Sequence, residues 1–274
     1  MNNESINNSA ATAEQFDRFA HFYDQDYRDY DADIALLDRL FLDNSPSILE
    51  LGCGTGRVLS ALVNRHPGCR FTGIDISPAL LTIAHQKLVD QGCRKYVRLI
   101  EDDLCTFTLP TDDYKNNFNF AFCTSNTFMH LNEPELQLAA LCNVYKHLHP
   151  GGRLFIDLFN PDIARLLAVN GICELADQWY DPQQNIEVIK WSVRTLDLAE
   201  QLQETLFIYE EIRADGTTRR TTCPFILRFL WRNEAVLMLE RAGFLVEDVW
   251  GDFDRQPYGD GSERLLLLAR KPES

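Results

Sequence analysis

The sequence predicts an α/β protein organised on a doubly wound, mostly parallel sheet, with an antiparallel sheet inserted into its later part. Three observations carry this. Short apolar runs alternate with amphipathic helical stretches between residues 48 and 159, the rhythm of right-handed crossovers that put helices on both faces of a parallel sheet. The first run, Ile48 to Leu51, ends in Gly52-Cys53-Gly54-Thr55-Gly56 directly before a helical stretch, a strand feeding a helix through a tight turn. Beyond Asn160-Pro161 the pattern changes to long period-two stretches, the signature of antiparallel strands.

The elements follow in order. Met1 to Ala13, rich in Asn, Ser and Ala, has neither a basic n-region nor an apolar h-region, so it is expected to be a disordered tail and not a signal peptide. Glu14 to Tyr30 carries Phe16, Phe19, Phe22, Tyr23, Tyr27 and Tyr30, many at helical spacing, and Ile34, Leu37, Leu40 and Phe41 continue an apolar face, predicting one or two helices. Strands are expected at Ile48 to Leu51, Arg70 to Ile76, Tyr96 to Ile100, Phe118 to Cys123 and Arg153 to Phe159. Between them lie helices at Arg57 to Asn64, at Pro78 to Gln91 behind a Ser77 N-cap, and at Glu133 to Leu148, closed by His149-Pro150-Gly151-Gly152. Asn185 to Asp197, Gln201 to Arg213 and Thr217 to Phe229 read as antiparallel strands, the last two joined by an Asp215-Gly216 hairpin turn. A helix at Asn233 to Arg241 and strands at Phe244 to Trp250 and Glu263 to Ala269 close the chain. The expected organisation is one domain over 14–274, with 160–230 an antiparallel insertion that serves as a substrate lid or as a dimer interface.

Composition narrows the function. The 274 residues carry a formal net charge of −15 with no clustered Lys or Arg, so nucleic acid and anionic membranes would meet a repulsive field. A small-molecule partner, including a cationic one, fits better, although acidic surface also simply confers solubility. No segment reaches the roughly 18 apolar residues of a membrane span. The eight cysteines, at 53, 69, 93, 105, 123, 142, 173 and 223, show neither a CxxC pair nor a Cys/His metal spacing. They read as reduced thiols of a cytoplasmic protein without a metal site.

Glycines in the turn after the first strand leave the N–H groups at the following helix start open to a ligand, which makes this a nucleotide site. In an open α/β sheet such a ligand lies in the crevice at the carboxyl ends of the strands. Asp75 ends the second strand there, and the segment Cys123 to Leu131 follows the fourth strand into the same crevice. Within it His130 is the best-placed general base, since imidazole titrates near neutrality, although a histidine beside apolar residues also serves as a structural hydrogen-bonder.

Together, Glu50-x-Gly52-x-Gly54-x-Gly56, Asp75 about twenty residues further on, Asp103 after the third strand and His149-Pro150-Gly151-Gly152 before the fifth resemble the class I S-adenosylmethionine-dependent methyltransferases. The similarity covers Tyr23 to Phe159 and resumes with the closing helix and strand pair. Within that group the chain looks most like small-molecule enzymes that carry an antiparallel sheet before the closing hairpin, such as glycine N-methyltransferases and sugar-amine N,N-dimethyltransferases. The resemblance implies a seven-stranded Rossmann-like sheet, S-adenosyl-L-methionine as methyl donor with S-adenosyl-L-homocysteine as product, and in-line transfer to a nitrogen or oxygen nucleophile of a small molecule. It also implies roles. Gly52, Cys53, Gly54 and Gly56 would lie against the methionine part of the cofactor, with Arg57 either pairing its carboxylate or standing as a surface arginine. Asp75 and Ile76 would hold the ribose side, and Asp103 or its neighbour Asp102 the adenine amino group, with the Leu104 backbone beside the ring. In the segment after the fourth strand, where Thr124 and Asn126 are cofactor-binding candidates, backbone carbonyls would hold the cofactor's amino group, while Asn126 and Thr127 supply side-chain polar groups. Tyr23 and Tyr27 either close over the site, one hydroxyl orienting the acceptor, or pack with a wet hydroxyl.

Two other readings stay open at this level: a nicotinamide-dinucleotide oxidoreductase, disfavoured by the GxGxG spacing in place of GxGxxG, and a cofactor-binding protein without catalysis. The inserted sheet should carry acceptor specificity, with Trp179, Tyr180, Trp191, Arg194, Arg228 and Trp231 as candidates, and the loop Asp252 to Tyr258 reaching in from the other side.

Overall fold

A computed structural model describes residues 3–41, 47–109, 118–182 and 184–273. Met1 and Asn2 of the expected tail lie outside the described residues. Two helices, α1 (Asn3–Asp26) and α2 (Ala32–Leu40), precede β1 (Ser47–Leu51). Then come α3 (Arg57–Arg65), β2 (Arg70–Asp75), α4 (Pro78–Asp90), β3 (Val97–Glu101), β4 (Phe118–Cys123), α5 (Pro134–His147) and β5 (Leu148–Phe159). The later half adds α6 (Ile163–Val169), β6 (Cys173–Asp181), β7 (Ile186–Asp197), β8 (Leu202–Arg213), β9 (Thr218–Arg228), α7 (Arg232–Arg241), β10 (Leu245–Trp250) and β11 (Arg264–Arg270).

Seven strands form one sheet in the order β10-β11-β5-β4-β1-β2-β3, and β6 to β9 form a second sheet in sequential order. β1 pairs parallel with both β2 and β4, while β11 runs antiparallel between β5 and β10. The strand order therefore turns around at β1 and β4, and the carboxyl ends of these strands open the crevice in which open α/β sheets bind ligands. Both faces are covered. On one, α3 buries Val58, Leu59, Leu62 and Val63 against Ile48, Phe71 and Phe120; on the other, Ala140, Leu141 and Val144 of α5 and Ala235 and Leu239 of α7 pack on Leu154, Ile156 and Leu267.

The second sheet packs against α1. Phe19 and Phe22 bury with Ile186, Val188, Tyr209, Cys223 and Phe225, and the Phe22 ring stacks on Tyr209 at 4.0 Å between centroids. This contact lays α1 across the mouth of the crevice.

Three differences from the sequence-based expectation matter. α1 starts at Asn3 and not near Glu14, so the segment expected as a disordered tail carries helical backbone from residue 3. Strand β6 and helix α6 were not expected; β6 has mostly exposed and half-exposed positions and so offers no apolar alternation to read. The Pro-Gly-Gly turn belongs to the start of β5, where Gly152 is packed so tightly that a Cβ would sit 2.8 Å from the His149 carbonyl and 2.9 Å from that of Phe118.

Candidate functional site

The glycine turn is fixed by the neighbouring strand. The N–H groups of Gly52 and Cys53 both donate to the Ile74 carbonyl at 2.8 and 2.9 Å. Gly54 N–H donates to Asp75 Oδ2 at 2.7 Å and Ser77 N–H to Oδ1 at 2.9 Å, so this one carboxylate ties the first turn to the second. Gly52, Gly54 and Gly56 have φ of +69°, +53° and +69°, a region that strains side-chain-bearing residues. A Cβ on Gly52 would also collide with the Thr127 methyl group. Burial pushes Asp75 up to about 6, against the lowering effect of the N–H groups that bond to it.

Two cavities open here. The first, about 420 Å³, is lined by Gly52, Gly54, Asp75, Ile76, Asp103 and Leu104, among others, and falls in the size range of small-ligand sites. The second, about 570 Å³, lies between α1 and the four-stranded sheet, with Lys190, Gln203, Thr205, Phe207 and Phe225 on its sheet side. Phe16, Tyr23, Thr127 and His130 line both. These four side chains mark a neck joining the two chambers.

The neck groups are held by aromatic packing. Tyr23 stacks on Tyr27 at 4.8 Å, and the His130 ring meets Phe16 edge-on at 4.8 Å and Phe225 at 5.5 Å. Burial pushes His130 down to about 4, so its imidazole is neutral at physiological pH, and pushes both tyrosine hydroxyls upward, keeping them protonated. Tyr27 lines the second chamber only.

The other sequence candidates divide. Of the two adjacent carboxylates, Asp103 lines the first cavity, while Asp102 turns inward: its Oδ1 accepts from the Asp103 N–H at 2.8 Å and its own N–H donates to the Asp75 carbonyl. Arg57 is engaged elsewhere. Its guanidinium forms an ion pair with the fully buried Asp33, donates to the Tyr30 carbonyl at 2.9 Å and to Ser125 Oγ at 3.1 Å, and lies 5.0 Å from the Tyr27 ring centroid. Cys53 is buried, with its side chain against Gly73, whose added Cβ would meet the sulfur at 2.7 Å. Thr124 is buried, its carbonyl accepting from Thr127 N–H. Asn126 faces the second cavity, its Oδ1 accepting from Phe159 N–H at 2.7 Å and from Arg264 at 3.2 Å.

Of the aromatic and basic candidates in the inserted sheet, only Arg194 lines the second cavity. Trp191 donates to Glu210, Arg228 is buried between Gln137 and Glu234, and Tyr180 is exposed. The loop Asp252 to Tyr258 acts indirectly, Tyr258 donating to Asn160 Oδ1 at 2.6 Å behind the cavity wall.

Three groups that shape the site escaped the sequence reading. Asp157, fully buried, pairs with Arg264 and accepts from Ser125 N–H at 3.0 Å, while its carbonyl accepts from Asn126 N–H; this holds Ser125 and Asn126 at φ of 57° and 62°, backbone strain of the kind that persists only where the surroundings over-determine it. Asp24 accepts from Thr55 Oγ1 at 2.6 Å and from Lys87 at 2.9 Å, docking α1 onto the glycine turn. Asp26 pairs with Lys190 of β7 on the second cavity. The only sequence signal was indirect: Asp24 and Asp26 alternate with the tyrosines of an aromatic helix.

A doubly wound sheet whose glycine turn and strand-end carboxylate face one chamber, joined by a neck to a second, is an arrangement that suits a nucleoside-type ligand beside a second small molecule. Residues 48–152 match the family described as a methyltransferase domain. The cypemycin N-terminal methyltransferase of a Streptomyces species is 26% identical over 227 residues, 82% of this chain and 83% of that protein. A malonyl-[acyl-carrier protein] O-methyltransferase of Bacillus cytotoxicus is 32% identical over 162 residues, 56% of this chain and 50% of that one. The solved CcbJ methyltransferase of Streptomyces caelestis superposes with a TM-score of 0.77 at 22% identity, covering 94% of this chain and 98% of that chain. Residues 48–152 thus carry a methyltransferase domain, and the chain is similar in fold to S-adenosylmethionine-dependent methyltransferases.

Proposed function

We propose that the protein moves the methyl group of S-adenosylmethionine onto an amine nitrogen of a small molecule by direct in-line displacement. The observation that carries this reading is the shared neck: one chamber suited to the cofactor and one lined by the inserted sheet meet at Phe16, Tyr23, Thr127 and His130. The cavity fits the cofactor. Asp75 has an N–H donor on each oxygen and spare lone pairs for two vicinal hydroxyls, Ile76 and Leu104 give apolar walls to a base, and Asp103 offers a carboxylate beside them.

When bound, the cofactor supplies a sulfonium-activated methyl group, so the protein's share is alignment and exclusion of water. α1 closes the neck from above, and Tyr23 lies over the turn, its ring 3.4 Å from where a Gly54 Cβ would stand. A nitrogen acceptor is favoured over oxygen by the proton chemistry. His130, pushed down to about 4, is a poor match for stripping a hydroxyl, whereas an alkylamine becomes nucleophilic by releasing its ammonium proton to solvent before it is bound, and the methylated ammonium product loses its proton to solvent in the same way. Tyr23 and Tyr27, held protonated by burial, serve as donors and orienting walls. Names among the relatives divide between nitrogen, as in the cypemycin N-terminal methyltransferase, and oxygen, as in the malonyl-[acyl-carrier protein] O-methyltransferase, so the choice rests on the proton chemistry. The eight cysteines, all free, suit a reducing cytoplasm.

Incubation with methyl-labelled S-adenosylmethionine and matched panels of small amines and alcohols tests the reading. Label is expected in amines; label in alcohols alone would overturn the choice of nitrogen, and no binding of S-adenosylhomocysteine would overturn the cofactor.

A further inference from the structure

On the far side of Tyr23 from the glycine turn, one helical turn along α1, stands Asp26. Its side chain is 6% exposed and lines the second cavity. Oδ2 is fully engaged: it pairs with Lys190 and accepts from the Tyr209 hydroxyl at 2.8 Å. Oδ1 is buried and has no hydrogen-bond partner among the described residues. A buried acceptor left without a donor costs on the order of 1–3 kcal/mol, a deficit that a ligand N–H in the cavity would remove. Lys190 is itself locked, its ammonium 4.0 Å from the Phe207 ring centroid and 5.6 Å from that of Tyr209, so it is not free to swing onto Oδ1. The other carboxylates on the cavity, Asp162 and Glu263, are less enclosed, and Asp162 already caps α6 through Arg165 N–H.

We propose that Asp26 is the acceptor-binding carboxylate: Oδ1 accepts a hydrogen bond from the N–H of a primary or secondary alkylamine and turns its lone pair toward the neck, with Lys190 and Tyr209 fixing the carboxylate. The aromatic surfaces of Phe19, Phe207 and Phe225 around it receive the acceptor's alkyl part. This inference rests on the methyl-transfer reading above.

The test uses the full-length protein and an amine found to be methylated. Asp26→Asn keeps the shape but turns one oxygen into a donor; KM for the amine is expected to rise at least ~30-fold while S-adenosylhomocysteine affinity by calorimetry stays within about twofold. Tyr209→Phe, which frees Oδ2 without touching Oδ1, should raise KM less than ~5-fold. Unchanged KM in a folded Asp26→Asn, with wild-type transfer intact, would overturn the role of Asp26 alone. If Asp26→Asn does not fold, Lys190→Met decides, because it keeps Oδ1 and removes its support: an unchanged amine KM there overturns the proposal, and a rise supports it. Absence of wild-type transfer to any amine would instead remove the reading beneath it.

Discussion

Asp75 does two jobs at once. It accepts the N–H groups that shape the glycine turn and, in the proposed complex, the two ribose hydroxyls. The sequence implied only the second, and a change to alanine cannot then be structurally silent. Asp75→Ala should abolish measurable S-adenosylhomocysteine binding in calorimetry and also lower stability by about 1–3 kcal/mol in chemical denaturation, because two N–H groups lose their acceptor. Its raised pKa, about 6, sets a pH dependence. The folded protein holds this proton between about pH 4 and 6 where the unfolded chain has released it, so the group's contribution to ligand-free stability falls as pH rises through that window. Hydroxyl donors need the ionised carboxylate, so cofactor affinity should rise from pH 5 to pH 7 and then level off, and Asp75→Asn should flatten the profile. His130 is the opposite case: its proton is already lost above about pH 5 given a value of about 4. His130→Ala should lower methyl transfer with little change in cofactor affinity, and the wild-type rate profile should lack an inflection near 6.5 that this variant removes.

Among the elements, α1 and the turn after β4 decide whether the neck exists. α1 supplies Phe16 and Tyr23 and is pinned by Asp24 on Thr55 and Lys87, by Asp17 on Ser77 at 2.6 Å, and by Asp26 on Lys190. Asp24→Ala should weaken S-adenosylhomocysteine binding several-fold in calorimetry, because it releases the part of α1 that carries Tyr23 from the glycine turn. The turn after β4 depends on Asp157 and Arg264, at 0% and 17% side-chain exposure. Arg264→Leu would strand a buried carboxylate and should cost about 3–5 kcal/mol by urea denaturation. None of these pairings was legible in the sequence, because Asp157 and Arg264, or Asp33 and Arg57, are brought together only by the tertiary fold. Arg57 shows the consequence: its place beside the glycine turn suggested a ligand carboxylate, and a helix 24 residues upstream supplies Asp33 instead.

At the scale of the molecule, the parallel half was readable because its signals are local. Apolar runs, alternate glycines and an acidic strand end each reflect the backbone at their own position, and the sheet order at β1 and β4 then places them in one crevice. The second chamber was not readable. Its walls come from α1, the turn after β4, α6 and the second sheet, and side chains that line it do not differ in type from those that pack beside it; of the six aromatic and arginine candidates named from the sequence only Arg194 lines it, while Phe207 and Phe225 were not among them. The difference between Asp102 and Asp103 was likewise not readable: the turn puts Asp103 on the cavity wall, its Oδ1 accepting from Cys105 N–H, while the Asp102 carboxylate accepts from the Asp103 N–H. A crystal structure with S-adenosylhomocysteine bound tests the account most directly. It should show the ribose hydroxyls on Asp75 and the sulfur at the neck between Tyr23 and His130, facing the second chamber; a ligand outside this cavity, or one whose sulfur points away from that chamber, would contradict it.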